Sequence, residues 1–289
     1  MTNDRYADNK MTGKTVLVTG ASGGIGLATA LGLSRLGARV AITGRDSDRV
    51  AAAAATIRSA GGELAATFVA DLSAQSEVRR LAEDTLACLP RLDVLVNNVG
   101  GYWNTRRITS DGLEHTFALN HLAPFLLTNL LLERLSQAPA ARVVTVSSNA
   151  QALGRIDFDD LQGESNYSGS RAYDQSKLAN VLFSYELARR LDGTRVTANA
   201  LHPGVVNTSF GAEDPAMIQR LLVPFIRPLM NSPKQGSATS IHVASAGALA
   251  TTTGLFFVRS KPKKSSKRSY DTHVADRLWK VSEQLTEAH

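Results

Sequence analysis

The sequence contains very little cysteine, few aromatic residues and no long apolar run. Its 289 residues include one cysteine, Cys88, and only 6% aromatic residues. A single cysteine rules out an internal disulfide and is typical of a reducing compartment. No apolar run reaches the about 18 residues of a membrane-spanning helix, and no signal-peptide pattern is present. We therefore expect a cytoplasmic protein without a membrane span, and no metal site is predicted.

What the chain does contain is a regular alternation of short apolar segments and helical patterns. Hydrophobic residues make up 43% of the chain, which is enough for one large core, and no linker rich in proline or serine interrupts the alternation. The pattern predicts one α/β domain over residues 13–289, a doubly wound parallel sheet of about seven strands with helices on both faces. Residues 1–12 are polar and are expected to form a disordered tail.

The predicted elements cover most of the domain. Strands are expected at residues 14–19, 38–43, 64–69, 92–97, 142–147, 195–201 and 255–258. Helices are expected at residues 24–36, 47–60, 75–88, 112–136, 171–191, 233–246 and 272–286. In an open parallel sheet of this kind, ligands bind where the carboxyl ends of the strands meet.

A glycine-rich turn follows the first predicted strand. Gly20, Gly24 and Gly26 are spaced as Thr-Gly-x-x-x-Gly-x-Gly between that strand and the first helix. Such a turn places backbone N–H groups and a helix N-terminus against a pyrophosphate, and glycine is needed because a Cβ would block the ligand. The alternative is a glycine turn that binds nothing. The strand and helix on either side favour a dinucleotide.

Polar side chains also follow two later strands. The strand at 92–97 runs into Asn98 and Gly100, and the strand at 142–147 ends in Ser147 and Ser148. Asparagine and serine after strands are usually turn formers or helix caps. Their coincidence with the glycine turn at the same edge of the sheet indicates a ligand site instead.

Tyr173 and Lys177 are four residues apart in a predicted helix, which stacks both side chains on one face. A cation close to a phenol favours the phenolate, so the hydroxyl could exchange a proton nearer neutrality than its usual pKa of about 10 allows. On its own, such a pair is most often part of a solvated helix face, because helices carry this spacing by chance. The glycine turn and the polar strand ends are what favour a catalytic interpretation.

Taken together and in order, these motifs resemble the short-chain dehydrogenase/reductase family, which comprises NAD(P)(H)-dependent oxidoreductases with a Rossmann fold. The resemblance runs from about residue 13 to the C-terminus and implies a catalytic set of Asn120, Ser148, Tyr173 and Lys177. The predicted cofactor-binding residues are Gly20, Ser22, Gly24, Ile25, Gly26, Arg45, Asp71, Leu72, Asn98, Gly100, Tyr173, Lys177, Pro203, Gly204, Val206 and Thr208. Val99 departs from the alanine that the family usually has, although the backbone there can act in the same way.

The resemblance also implies a role for each catalytic residue. Tyr173 acts as general acid toward a carbonyl oxygen, and Lys177 lowers the pKa of the phenol. Ser148 hydrogen-bonds the same oxygen, and Asn120 holds a water that links Lys177 to solvent. Ser147 is a competing hydroxyl. Ser148 is preferred because it occupies the position of the family's catalytic serine.

Within the family, the chain is similar to the retinol dehydrogenase-like and WW-domain oxidoreductase-like branch. The segment at 154–162, inserted between Ser148 and Tyr173, and the segment at 275–279 carry that similarity. Membrane-anchored retinol enzymes begin with an apolar segment, whereas this chain begins with polar residues. Activity on retinoids is therefore not implied.

The end of the second predicted strand bears on the choice of cofactor. An acid there would bind a free ribose 2′-hydroxyl and repel a 2′-phosphate. In this chain Arg45 follows the strand, and a guanidinium can bind a phosphate through two N–H groups, which favours NADP(H). Asp46 is the strongest objection. We expect it to cap the next helix instead.

The substrate is predicted less sharply. Tyr102 and Trp103 follow the strand end that faces the nicotinamide in this family, and Phe210 lies in a substrate lid expected at about 206–232. Apolar walls with few polar groups suit a lipophilic or aromatic ketone or aldehyde. Simple packing of these side chains is an equal alternative, and the positive charges of Arg106 and Arg107 would also suit an acidic substrate.

In family members the helix at 112–136 often forms a subunit interface, so the resemblance allows a homodimer or a homotetramer.

The leading hypothesis is an NADPH-dependent reductase of such small-molecule carbonyl compounds, which acts in reverse as an alcohol dehydrogenase. A dinucleotide-sensing regulator without turnover is the alternative, although a sensor has no need of a positioned acid.

The net charge of +6 is concentrated in the basic run at 261–268. That run could bind nucleic acid or acidic lipid, but we interpret it as a solvated loop and expect no nucleic-acid partner.

Overall fold

The structure is a computed structural model that describes residues 10–204 and 232–287. It contains one eight-stranded sheet with the strand order β3-β2-β1-β4-β5-β6-β7-β8. The strands are β1 (Thr15–Val18), β2 (Arg39–Gly44), β3 (Leu64–Val69), β4 (Val94–Asn97), β5 (Ala141–Val146), β6 (Val196–His202), β7 (Phe256–Val258) and β8 (Lys261–Lys263). The first seven pair in parallel, and β8 pairs antiparallel with β7. The predicted doubly wound α/β fold is confirmed.

Helices cover both faces of the sheet. They are α1 (Gly24–Arg35), α2 (Ser47–Ser59), α3 (Gln75–Cys88), α4 (His115–Phe117), α5 (Ala123–Ser136), α6 (Gly169–Arg190), α7 (Pro233–Ser245) and α8 (Thr272–Thr286). Alternate residues of β1 point to opposite faces: Leu17 belongs to one apolar cluster, while Val16 and Val18 belong to the other. Both faces are therefore buried, as a parallel sheet requires.

The helix predicted at 112–136 is shorter and is interrupted. It begins at His115, where the Glu114 carboxylate accepts hydrogen bonds from the N–H groups of Thr116 and Phe117. A π-helical segment, Ala118–Leu122, then separates α4 from α5. Such π segments occur frequently at functional sites. Hydrophobic periodicity does not reveal one, because one extra residue in a turn hardly changes the apolar pattern.

The eighth strand lies in the basic run that was predicted to be a loop. A two-residue turn joins β7 to β8, and both turn residues, Arg259 and Ser260, have positive φ. This is the backbone twist that a tight hairpin needs, although the sequence lacks the glycine or asparagine that usually signals it. All three residues of β8 are exposed. The lysines are therefore solvated, as predicted, but they are held in a hairpin.

A buried carboxylate anchors the edge of the sheet where its parallel strands begin. Asp93 is fully buried and accepts hydrogen bonds from the Thr15 N–H, the Lys14 ammonium and the Arg91 guanidinium. Burial alone would raise the pKa of Asp93, but the hydrogen bonds from Arg91, Thr15 and Lys14 outweigh it and hold the pKa below its usual value. The carboxylate thus fastens the starts of β1 and β4 together.

The predicted tail overlaps the described residues at 10–12. There Met11 is buried in the core cluster on the α1 face, and its N–H donates to the Leu36 carbonyl. Packed chain therefore begins before residue 13. Over the ranges 10–204 and 232–287, no helix is both long enough and apolar enough to span a membrane. Nearly all of the predicted lid at 206–232 lies outside those ranges.

Candidate active site

The turn after β1 requires glycine at Gly20, Gly24 and Gly26. Gly20 and Gly24 have φ of 62° and 55°, in the left-handed region that glycine adopts at no cost. A Cβ added to Gly26 would lie 2.3 Å from the Gly20 carbonyl oxygen, so any larger residue would break the turn. The turn opens directly into α1 at Gly24. Its N–H groups and the start of α1 form the anion site that the sequence predicts.

A threonine that the prediction missed ties this turn to β4. The Thr19 hydroxyl donates to the Val96 carbonyl and accepts from the N–H groups of Asn98 (3.0 Å) and Val99 (3.1 Å). The Asn98 amide returns a hydrogen bond to the Thr19 carbonyl at 2.8 Å. One hydroxyl and one amide therefore lock the ends of β1 and β4 side by side. The position of Thr19, between a strand and a glycine, was its only signal.

A cavity of about 450 Å³ opens at this edge of the sheet. Most of the predicted cofactor and substrate residues line it: Gly20, Ser22, Gly24, Ile25, Gly26, Arg45, Asp71, Leu72, Asn98, Gly100, Tyr102, Trp103, Ser148, Tyr173, Lys177, Pro203 and Gly204. Val206, Thr208 and Phe210 lie outside the described residues. Asn120 is not part of the lining. The structure thus brings together residues that are far apart in the sequence.

Tyr173 and Lys177 lie one turn apart on α6, and both side chains reach the cavity. The Lys177 ammonium nitrogen lies 5.5 Å from the centre of the Tyr173 ring and 3.4 Å from the Val146 carbonyl oxygen. Burial lowers the pKa of Lys177 to about 8. Burial also raises the pKa of Tyr173 to about 12, although a hydrogen bond with Ser148 acts in the opposite direction.

This corrects one expectation about the pair. We predicted that Lys177 lowers the pKa of the phenol, but the loss of solvation dominates, and the negative charge of Asp174 adds to it. The error came from counting only the nearby cation. A partly buried phenol also loses the water that would stabilise its anion. Tyr173 is therefore firmly protonated at neutral pH in the protein alone.

The structure separates the two serines at the end of β5. Ser147 is buried and its hydroxyl donates to the Lys177 carbonyl at 2.7 Å, so it braces α6 against the sheet. Ser148 is half-buried, lines the cavity and hydrogen-bonds with Tyr173. Its hydroxyl also accepts from the Ala150 N–H at 3.2 Å. Of the two hydroxyls, that of Ser148 is therefore the one placed to meet a substrate.

Asn120 lies in the π-helical segment, behind the cavity wall. Its side-chain oxygen accepts from the Gly101 N–H at 2.8 Å, and its amide nitrogen donates to the Gly101 carbonyl at 2.9 Å and to the Ser176 hydroxyl at 3.0 Å. A Cβ added to Gly100 would lie 3.0 Å from the Asn120 oxygen and 3.2 Å from the Lys177 ammonium. Asn120 and Lys177 therefore converge beneath this loop. The predicted bridging water stays a prediction.

Two arginines flank the cavity at the end of β2. Arg45 lines it as predicted, and so does Arg49, which was not among the predicted site residues. A Cβ added to Gly23 would lie 3.2 Å from an Arg49 guanidinium nitrogen, so that side chain reaches over the glycine turn. The Asp46 carboxylate accepts from the Arg49 N–H at 2.9 Å and caps α2, as expected. The signal that could have identified Arg49 is a second arginine four residues after Arg45, in the first turn of α2.

The two aromatic residues predicted for the substrate occupy different environments. Tyr102 packs edge-on against the Tyr173 ring, with 5.8 Å between the ring centres. Trp103 is only 4% exposed, packs edge-on against His115 and fills the space beside Gly101. Tyr102 is therefore next to the reacting position. The indole of Trp103 mainly supports the loop that carries Tyr102.

His202, at the end of β6, is a further cavity residue that was not predicted from the sequence. Its Nδ1 accepts a hydrogen bond of 3.2 Å from the Asn149 N–H, directly after Ser148. This contact requires an unprotonated Nδ1, and burial lowers the pKa of His202, which favours the neutral ring. The histidine therefore steadies the segment that presents the Ser148 hydroxyl.

The cavity fits a nicotinamide dinucleotide. The glycine turn lines the cavity where α1 begins at Gly24, which is the position that a dinucleotide's pyrophosphate takes in this arrangement of strand, turn and helix. Asp71 and the arginines lie at one side of the cavity, and Ser148, Tyr173 and Lys177 also line it. The same cavity thus contains charged groups that can bind a nucleotide and a hydroxyl that can donate a proton.

Comparison with known proteins agrees with this geometry. A family model described as short chain dehydrogenase matches residues 14–219. The human protein named retinol dehydrogenase 14 is 42% identical over 94% of this chain and 86% of its own length. Among solved structures, an uncharacterised protein from Mycobacterium paratuberculosis superposes with a TM-score of 0.78 at 37% identity, over 96% of this chain and 94% of its own.

The Pseudomonas aeruginosa RhlG/NADP active-site complex superposes with a TM-score of 0.68 at 28% identity, over 86% of this chain and 95% of its own. The chain belongs to the short-chain dehydrogenase/reductase family, whose members are oxidoreductases that use a nicotinamide cofactor. Within that family it falls in the retinol dehydrogenase-like branch, as the sequence motifs predicted.

Proposed function

We propose that this protein is an NADPH-dependent reductase of lipophilic or aromatic ketones and aldehydes in the cytoplasm, and that it oxidises the corresponding alcohols in reverse. The observation that carries the proposal is the hydrogen bond between the Ser148 and Tyr173 hydroxyls at the cavity wall, with the Lys177 ammonium 5.5 Å from the Tyr173 ring. A regulator that only binds a dinucleotide has no use for two converging hydroxyls.

In reduction, a bound NADPH would supply the hydride. Tyr173, protonated at neutral pH because its pKa is raised to about 12, donates its proton to the carbonyl oxygen as negative charge develops there. The Ser148 hydroxyl donates a hydrogen bond to the same oxygen and fixes its position. In its charged form, Lys177 stabilises the phenolate that Tyr173 becomes, and the proton is then replaced from solvent.

The preference for NADPH is supported by Arg45 and Arg49, which flank the cavity at the end of β2. Two guanidinium groups can bind a ribose 2′-phosphate through several N–H groups at once. The RhlG complex also contains NADP. Arg45→Asp and Arg49→Gln should each weaken NADPH much more than NADH in a fluorescence titration. Equal losses for the two coenzymes would remove the argument for NADPH.

The substrate class rests on the walls next to Tyr173. Tyr102 packs against the Tyr173 ring, and Leu119 and Val146 add apolar surface to the lining of the same cavity. Such walls recognise apolar surface, and the two hydroxyls orient the reacting oxygen. The retinol dehydrogenase relative is named for a lipophilic alcohol, which supports the same class.

The decisive experiment measures NADPH oxidation with a panel of aromatic, isoprenoid and short polar aldehydes. We expect turnover with the apolar members, and a loss of about 10²–10⁴-fold in Tyr173→Phe. The variant should keep its affinity for NADPH, because the glycine turn is untouched. If NADPH binds but no member of the panel is reduced by either protein, the chain is a dinucleotide sensor instead.

A further inference from the structure

One surface of the molecule carries positive charge that nothing in the described structure neutralises. It lies on the β7–β8 hairpin and the short 3₁₀ helix after it, and residues 259–270 contain no acidic side chain. We call this surface the basic edge, and its residues are Arg259, Lys261, Lys263, Lys264, Lys267 and Arg268. All six are exposed.

The basic edge differs from many other cations of the surface because those other cations form ion pairs. Arg80 pairs with Glu77 and Asp84, and Lys280 pairs with Asp276. In contrast, across residues 10–204 and 232–287 no carboxylate lies within ion-pair distance of any basic edge residue. Each of its charges is therefore available to an external anion.

The basic edge is held rigidly and lies next to the catalytic segment. The turn between β7 and β8 is at the edge of the sheet where the cavity opens, because β7 runs parallel to the other strands. The Ser266 N–H donates to the Gln151 side chain at 3.1 Å, and the Arg268 guanidinium donates to the Gly154 carbonyl at 3.2 Å. Gln151 and Gly154 belong to the segment that directly follows Ser148.

Two exposed apolar side chains flank these charges. Leu153, next to the Gly154 that Arg268 contacts, is 77% exposed, and Tyr270 is 51% exposed. A leucine that protrudes into water has no packing role. An exposed leucine beside a cluster of cations is a combination that inserts at the boundary between lipid headgroups and acyl chains.

We propose that the basic edge docks this protein onto an anionic phospholipid surface, with Leu153 inserted among the lipid chains. The lysines attract the acidic headgroups, and each one near the surface should strengthen binding roughly fivefold. Nucleic acid would satisfy the same charges, but it gives no role to an exposed leucine. Docking in this way would bring the cavity edge close to a bilayer. The proposal concerns binding alone and does not rest on the reductase activity.

Vesicle sedimentation tests the proposal with a matched pair of variants. Lys261→Gln/Lys263→Gln/Lys264→Gln removes three charges from the basic edge. Arg35→Gln/Arg58→Gln/Arg195→Gln removes three exposed charges from the opposite edge of the sheet, so the formal net charge falls from +6 by three units in both. Thermal unfolding of both variants verifies that they fold.

We expect the wild type to bind vesicles of equimolar phosphatidylcholine and phosphatidylserine, to ignore pure phosphatidylcholine, and to dissociate in high salt. The basic edge variant should lose roughly a hundredfold in binding, at about fivefold per lysine, and the control variant should lose far less. Leu153→Ser should weaken vesicle binding at unchanged charge. Equal losses in the two triple variants would contradict the proposal. The proposal would also be contradicted if the protein bound duplex DNA through the basic edge and did not bind the vesicles.

Discussion

The ammonium nitrogen of Lys177 lies 5.5 Å from the centre of the Tyr173 ring, with the lysine buried and the tyrosine partly buried. Burial moves their pKa values toward the neutral forms, down to about 8 for the lysine and up to about 12 for the tyrosine. At neutral pH the lysine is therefore a charged ammonium group and the tyrosine a neutral phenol. This is the protonation state required to reduce a carbonyl compound.

The first prediction concerns the pH dependence of reduction. Lys177 is charged below its pKa of about 8 and neutral above it, while Tyr173 stays protonated throughout this range. We expect kcat/KM for NADPH, which reports groups of the free enzyme, to fall as pH rises through about 8. Lys177→Met should be slower and should show no such fall. A wild-type profile that is flat across that pH would contradict the role of the lysine.

The second prediction separates the two serines. Ser148→Ala should lower kcat by about 10²–10³-fold, because it removes a hydrogen bond to the developing oxyanion. Ser147→Ala should keep kcat and instead lower the free energy of unfolding by about 1 kcal/mol, because it removes the hydrogen bond that braces α6 against the sheet. Steady-state kinetics and urea unfolding on both variants check this. The reverse pattern would show that Ser147 is the catalytic hydroxyl.

The third prediction tests Asn120 as the support of the loop that carries Tyr102. Asn120→Leu leaves the N–H and carbonyl of Gly101 buried without partners, which should cost about 2–4 kcal/mol in unfolding free energy. Asn120→Asp keeps the acceptor for the Gly101 N–H and should cost less. Urea unfolding gives the stabilities, and kcat measured on the folded proteins shows whether the amide also serves in proton transfer. A stable Asn120→Leu variant would refute the supporting role.

The fourth prediction concerns Asp93 and acid stability. Its folded pKa lies below its unfolded value, so its charge stabilises the fold above the unfolded pKa, and this contribution disappears as pH falls through the folded pKa. Asp93→Asn should therefore be less stable than wild type at neutral pH, by about 2–4 kcal/mol. The difference should shrink at acidic pH below the ordinary carboxylate value of about 4. Urea unfolding at both pH values measures it, and a constant difference would contradict the assignment.

The sequence predicted the strands and the cavity edge well because both depend on local patterns. Apolar runs such as β1 and β5 end in polar residues, and a parallel sheet brings those ends together whatever the details of packing. Gly26 could be identified in the same way, because its role is set by its neighbours in the chain.

The remaining features depend on contacts that no local pattern encodes. The burial of Trp103 is set by His115 and Gly101, and the raised pKa of Tyr173 by the solvent that the fold excludes. The π-helical segment around Asn120 and the lysine-bearing strand β8 were missed for a similar reason. Each is imposed by a neighbour rather than by its own sequence.

Strand β8 also determines how the sheet ends. Pro262 has no N–H to offer a further strand, and Lys261 and Lys263 would meet the same charges on an identical chain. A second copy therefore cannot continue the hydrogen-bonded ladder at this side, which prevents open-ended polymerisation through β8. The exposed edge strand β8 thus resists strand addition by another copy of the chain.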